Sequence, residues 1–109
     1  MSDRELLEAA AKAIGLDADY FPGGHGYEEG MWFDSENDCR TFWNPLTDDG
    51  DALRLAVKMV HCTGIVRRPR LGENYAYAGK YGEVHENIAG DPCAATRRAI
   101  VRAAAALAG

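Results

Sequence analysis

The positions of hydrophobic residues along the chain predict three helices. The first begins where Ser2 and Glu5 show the S-x-x-E spacing of a capping box. It ends near Gly15, because glycine suits a helix C-terminus. The apolar residues of this segment recur every three or four positions, as one buried helical face requires: Leu7, Ala10, Ala11 and Ile14.

The second helix is predicted within "FWNPLTDDGDALRLAVKM". Thr47 or Asp48 can cap it, and it runs to about Met59 or Val60. One apolar row holds Leu53, Ala56, Val57 and Val60, and an adjoining row holds Ala52, Leu55, Ala56 and Met59. Two adjoining rows make a wide apolar face, which predicts a mostly buried helix with a narrow charged strip in water.

The third helix is predicted in "DPCAATRRAIVRAAAALAG", with Asp91 as the N-cap and Pro92 at the first helical position. Short alternating runs elsewhere predict strands. Residues 31–33 and 41–43 form a hairpin around "DSEND", and a second sheet region follows around residues 65–66, 75–77 and 84–88. The glycine-rich segment 17–30 is predicted to be a loop.

These elements predict one domain over residues 1–109, an α/β (α+β) sandwich. Three helices would pack with an antiparallel or mixed sheet of about five strands. The length of 109 residues suits one modest core, and 47% apolar with 27% charged residues is ordinary for a soluble globular protein.

Charge and hydropathy exclude several function classes. The net charge of -5 argues against direct DNA binding, which draws its affinity from neutralised phosphates. No apolar run approaches the ~20 residues of a membrane span, so no membrane is expected as a partner. The N-terminal "MSDRELLEAA" lacks the apolar core of a secretory signal, which favours a cytoplasmic protein.

The cysteines, histidines and acids are the other residues that could carry chemistry. Cys39, Cys62 and Cys93 are scattered and odd in number, which favours reduced thiols over disulfides. Paired metal ligands at short spacing are lacking, so neither a metal nor another cofactor is predicted. The acids in "DDGD" are interpreted as a helix start, and the open alternative is a metal-dependent enzyme that uses Asp48, Asp49 and a histidine. No catalytic residue is assigned.

Arginines and tyrosines give the candidate binding site. Arginine forks grip phosphates and aromatic rings stack on bases, so together they suit a nucleotide-like anion. The predicted ligand-binding residues are Arg67, Arg68, Arg70, Tyr75, Tyr77, Arg97 and Arg98. The alternative is that the arginines form a solvated surface balancing 17 acids and that the tyrosines pack in the sheet.

Two segments resemble a known family. "WNPLTDDGDALRLAVKM" and "ATRRAIVRAAAALAG" are similar to small tailed-phage and prophage proteins of the phage α/β/α-sandwich domain family, and "DRELLEAAAKAIG" resembles its first helix. The resemblance implies a phage or prophage source, an α/β sandwich and a location in the cytoplasm of an infected bacterial host. It implies little about activity and supplies no site residue.

Two functional hypotheses follow. The first is a non-enzymatic counter-defence factor that sequesters a nucleotide-derived host immune signal, with a pocket shared across a homo-oligomer because one small chain buries a ligand poorly. The second is an acidic inhibitor that binds a basic surface of a host defence complex, speeded by charge complementarity. Its acids would be Glu28, Glu29, Asp34, Glu36 and Asp38.

Overall fold

The computed structural model describes residues 1–35 and 39–108. The candidate acids Glu36 and Asp38, in the predicted turn of the first hairpin, therefore lie outside the described residues. The helices are α1 (Asp3–Ala13), α2 (Asp49–Lys58) and α3 (Pro92–Ala106). The strands are β1 (Asp19–Phe21), β2 (Gly30–Asp34), β3 (Arg40–Trp43), β4 (Gly64–Arg68), β5 (Glu73–Ala78) and β6 (Val84–Asn87), with a 3-10 turn at Pro69–Leu71.

The strands form two separate antiparallel sheets, ordered β1-β2-β3 and β4-β5-β6. The α+β class and the antiparallel pairing are confirmed, whereas the prediction of one sheet of about five strands is wrong. The interruption is α2, which lies in sequence between β3 and β4 and packs mainly against α3. β1 was also missed, since it is a three-residue strand inside the segment predicted to be a loop.

The helix starts follow the predicted caps. The Ser2 hydroxyl accepts from the Glu5 amide while the Ser2 amide donates to the Glu5 carboxylate, which completes the capping box. This bonding lowers the pKa of Glu5. The Asp48 carboxylate accepts from the Asp51 amide at 2.8 Å, and Asp91 caps α3 through the Cys93 amide. The acids of "DDGD" therefore do start a helix.

The core is built around α3, which packs against α1, α2 and the inner face of the second sheet, meaning the face toward α3. Small side chains let these layers approach closely. Ala76 and Ala78 of β5 are fully buried, as are Ala99 and Ala104 of α3. Larger side chains fill the remaining space, among them Leu7, Met31, Leu55 and Val101.

The prediction that α2 is mostly buried is wrong. Ala52, Leu55 and Ala56 are buried against the core, but Leu53 and Val57 are 61% and 69% exposed. The neighbouring helix α3 covers the row of Ala52, Leu55 and Ala56. No strand of the described chain packs closely under the row of Leu53 and Val57. In the part of the chain that the structure describes, no helix is long and apolar enough to cross a membrane.

Candidate functional site

The first sheet has one covered face and one open face. Side chains alternate across a strand, so Met31 and Trp43 turn toward the core and are buried. Phe21, Trp32 and Phe42 lie on the opposite face, where they are only half-buried. Trp32 stands directly between Asp19 of β1 and Phe42 of β3 in the ladder register.

Four aromatic rings form a continuous row on this open face, which we call the aromatic face: Phe21, Tyr27, Trp32 and Phe42. Their ring centroids are 6.3 Å apart for Phe21 and Tyr27, 6.0 Å for Tyr27 and Trp32, and 5.3 Å for Trp32 and Phe42. Each pair meets edge to face, the arrangement that aromatic quadrupoles favour. The four rings therefore contact one another along the whole row.

A tight turn holds Tyr27 over the sheet. Gly24 and Tyr27 exchange two backbone hydrogen bonds, of 3.0 and 2.9 Å. The two residues between them, His25 and Gly26, both have positive φ, at 52° and 84°. Positive φ at both central positions is the pattern of a type I′ turn, which suits a short hairpin. Tyr27 remains 62% exposed and offers its ring to solvent.

Gly30 makes room for the last ring of the row. A Cβ atom at Gly30 would lie 2.5 Å from the Phe42 ring. Phe42 therefore leans over the glycine and fills the space that a side chain on β2 would occupy. Beside it, the Asn44 side chain donates to the Glu29 carbonyl at 3.0 Å, which holds the end of the loop against β3.

The charges at the aromatic face are mostly negative. Asp19 is exposed, and within the described residues its carboxylate makes no hydrogen bond or ion pair. Arg40 pairs with Asp34 at 3.3 Å. A cavity of about 420 Å³ opens here, lined by Asp19, Tyr20, Phe21, Tyr27, Trp32 and Arg40.

Tyr20 of β1 also borders this cavity, but its hydroxyl already makes a hydrogen bond. It donates to the Glu29 carboxylate, and that hydrogen bond raises the pKa of Tyr20. The Arg4 guanidinium lies 4.9 Å from the centre of the Tyr20 ring. These contacts tie β1 to the loop and to α1, so they position the site rather than offer free groups to a ligand.

The predicted tyrosines lie on the second sheet, on its outer face, which is turned away from α3. Tyr75 stacks on His85 with centroids 4.2 Å apart, and Tyr77 stands opposite both Gly64 and His85 in the ladder. Arg68 shares this face by alternation and pairs with Glu73 at 3.5 Å. Three of the predicted residues are thus neighbours on one surface.

The other four predicted arginines are placed elsewhere. Arg67 alternates to the inner side of β4, and Arg70 is exposed in the 3-10 turn. Arg97 and Arg98 lie on α3, across the sheet from the tyrosines. The structure therefore does not bring all seven residues into one pocket.

The two predicted arginines on α3 already have partners. Arg97 is the more buried, with its side chain 16% exposed, and it donates to the Leu46 carbonyl at 2.9 Å and to Asp49 at 2.6 Å. Arg98 donates to Asp3 at 3.0 Å, with Glu86 at 3.7 Å. These contacts fasten α3 to its neighbours.

His61 is the partly buried histidine that follows α2. Neither of its ring nitrogens has a hydrogen-bond partner in the described part of the chain. Burial lowers the pKa of His61, partly opposed by the charge of Glu83. Among residues 1–35 and 39–108, no group of three or more His, Cys, Asp or Glu side chains is arranged to hold a metal ion.

Sequence reasoning missed the aromatic face. The signal was present in "MWFDSENDCRTFW", because pairing Asp34 with Arg40 sets Trp32 opposite Phe42. The approach of Tyr27 depends on a turn with two positive φ values, which the loop composition alone did not reveal.

Comparison with known proteins found no match at any level. No protein-family model matches the chain. No curated protein and no solved structure matches it significantly either. The resemblance to phage α/β/α-sandwich proteins therefore stays a prediction, and function must be argued from the geometry.

Proposed function

We propose that this chain is a non-enzymatic binding module whose aromatic face takes up a cationic side chain from a basic surface of another protein. The observation that carries the proposal is the ordered row of four aromatic rings beside the unpaired carboxylate of Asp19. It keeps the class of the acidic-inhibitor hypothesis but changes the acid that matters. Of the acids predicted there, Glu29 accepts from Tyr20 and Asp34 pairs with Arg40, so Asp19 takes their place.

The chemistry of the site suits a guanidinium or ammonium group. A cation over an aromatic ring gains about 0.5–1 kcal/mol at an exposed site and more when water is excluded. Trp32 is the strongest ring for this contact, and Asp19 stands beside it in the ladder. A guanidinium could therefore stack on the indole while donating to the carboxylate.

The same charges disfavour an anion at this face. Arg40 is the cation that lines the described cavity, and Asp34 already neutralises it at 3.3 Å. The unpaired Asp19 would repel a phosphate. The net charge of -5 adds long-range attraction for a basic partner, which raises the association rate and makes it salt-dependent.

The test is a titration with an arginine-rich peptide, followed by Trp fluorescence. Trp32 is half-buried at the face and Trp43 is buried in the core, so binding should change the Trp32 signal. Asp19→Asn and Tyr27→Ala should each weaken binding about 5-fold or more, the equivalent of roughly 1 kcal/mol. Added salt should weaken binding to the unmodified protein.

Two matched controls separate the site from general charge and aromatic content. Asp17→Asn removes the same charge two residues before Asp19, and Tyr81→Ala removes a tyrosine that is 81% exposed on the β5–β6 turn. Both should bind as the unmodified protein does. If Asp19→Asn and Asp17→Asn weaken binding equally, the attraction is non-specific and the proposed site is wrong.

A second candidate function rests on the outer face of the second sheet. Tyr75 is stacked on His85, and Tyr77 and Arg68 share the same surface, so rings and a guanidinium are available to a nucleotide-derived anion that displaces Glu73 from Arg68. This arrangement supports the sequestration hypothesis with three of its predicted residues. A panel of nucleotide signals should then bind, and Arg68→Glu should abolish binding while Arg70→Glu should have little effect.

The biological setting is part of the proposal. The resemblance to tailed-phage and prophage proteins favours a target within a host defence system, in the cytoplasm of an infected bacterium. Retention of one host protein at low salt, and its loss from an Asp19→Asn column, would support the inhibitor role. Retention of a nucleotide instead would favour sequestration.

A further inference from the structure

The row of α2 that faces away from the core is apolar and exposed. Leu53 and Val57 lie one turn apart on α2 and are 61% and 69% exposed, and Val60, just beyond the end of the helix, is 76% exposed. Ile65 of β4 is 45% exposed although it lies on the inner side of its sheet. We call these four residues the apolar patch.

A groove of about 300 Å³ separates the two parts of the patch. Leu53 and Ala52 of α2 form one wall, Ile65 forms the other, and Ile100 of α3 lies at the groove. The groove exists because the second sheet ends at β4. A strand added beyond β4 would enter this groove, between Ile65 and Leu53.

The outer edge of β4 is available for such a strand. No side chain or loop of the described chain hydrogen-bonds to the outer backbone groups of Gly64–Arg68. The opposite edge differs, since Arg102 donates to the His85 carbonyl at 2.9 Å and to Glu86 at 2.7 Å. Unprotected strand edges readily pair with another chain.

We propose that a second copy of this chain binds here, with the two β4 strands paired antiparallel across a two-fold axis. Antiparallel pairing of identical strands is self-complementary, as a two-fold interface requires. The second sheet would then continue through six strands. Each copy's α2 would cover the Ile65 of its partner.

Charge and area are compatible with this arrangement. A two-fold axis at Val66 sets Arg67 opposite Ile65 of the other copy and Arg68 opposite Gly64, so no two arginines face each other. A stable interface buries about 800 Å² per partner. That area is roughly an eighth of the 6861 Å² surface of one chain. The aromatic face lies on the other sheet, so this inference does not depend on the proposed function.

The experiment measures the molar mass in solution by sedimentation equilibrium over a wide concentration range. The unmodified chain should approach twice 11.9 kDa. Val57→Glu and Ile65→Glu should each give the monomer mass, because each buries a charge at the interface. The matched control is Leu107→Glu, which changes a residue 67% exposed at the far end of α3 and should leave the dimer intact.

Backbone hydrogen exchange adds a readout that needs no substitution. The amides of β4 should exchange more slowly as the protein concentration rises, while those of β6 should not change. A chain that stays monomeric at every concentration would overturn the proposal. So would an oligomer that survives both Val57→Glu and Ile65→Glu, or one dispersed by Leu107→Glu alone.

Discussion

Replacing Val60 with glycine should stabilise the protein. Val60 has φ 56°, a left-handed conformation that a β-branched residue rarely adopts. It follows the last turn of α2, where its amide donates to the Val57 carbonyl and the His61 amide donates to the Ala56 carbonyl at 2.9 Å. These bonds close the helix as a Schellman-type cap, a position where glycine is preferred.

The magnitude follows from three contributions. A left-handed conformation costs an L-residue about 1–2 kcal/mol, which glycine does not incur. Glycine also raises the conformational entropy of the unfolded chain, and this offsets about 0.4–1 kcal/mol of that gain in stability. The lost side chain is 76% exposed, so little burial is lost. The net gain is about 1 kcal/mol, or a rise in Tm of about 4 °C.

The assay is urea unfolding with a matched substitution. Val57→Gly makes the same change at a valine that is also mostly exposed but lies inside the helix, so it should destabilise by about 0.5 kcal/mol. Both are made in the Ile65→Glu background, so that association does not contribute. Equal losses of stability from both substitutions would refute the reasoning about the backbone of Val60.

Three further predictions concern single residues. Gly30→Ala should destabilise by about 1–3 kcal/mol in urea unfolding, because its Cβ would lie 2.5 Å from the Phe42 ring; unchanged stability would contradict the close approach. Arg97→Ala should cost about 2 kcal/mol through its lost bonds to the Leu46 carbonyl and Asp49, and a loss below a few tenths would contradict that role. Because burial holds the pKa of His61 below its ordinary 6.5, stability should fall as pH drops through 6.5 toward the folded value. His61→Leu should lessen that fall, and an unchanged pH profile would contradict it.

Local signals predicted most of the secondary structure. The Ser2–Glu5 capping box, the Asp48 cap and the Asp91–Pro92 start depend on neighbours within a few residues, and each helix begins where they indicated. The alternation of tyrosine and alanine from Tyr75 to Ala78 likewise predicted the strand β5, but it did not predict which of the two faces is buried.

Relations between distant elements could not be predicted in the same way. Whether two hairpins share a ladder depends on how α2 crosses between them, and hydropathy does not encode that crossing. The exposed row at Leu53 and Val57 has the same pattern as a buried one. Likewise, the Ala76 and Ala78 side of β5 packs toward α3 and leaves Tyr75 on the opposite face from Arg97, and that packing joins elements that lie far apart in sequence.

The most direct test of the central claim is an NMR titration with an arginine-rich peptide, read at the two tryptophan indole N–H signals. Trp32 lies on the aromatic face and Trp43 is 7% exposed in the core. We expect the Trp32 indole and the amides around Asp19 and Tyr27 to shift with saturation, while Trp43 stays unchanged. Shifts confined to the second sheet around Tyr75, or no shift at all, would contradict binding at the aromatic face.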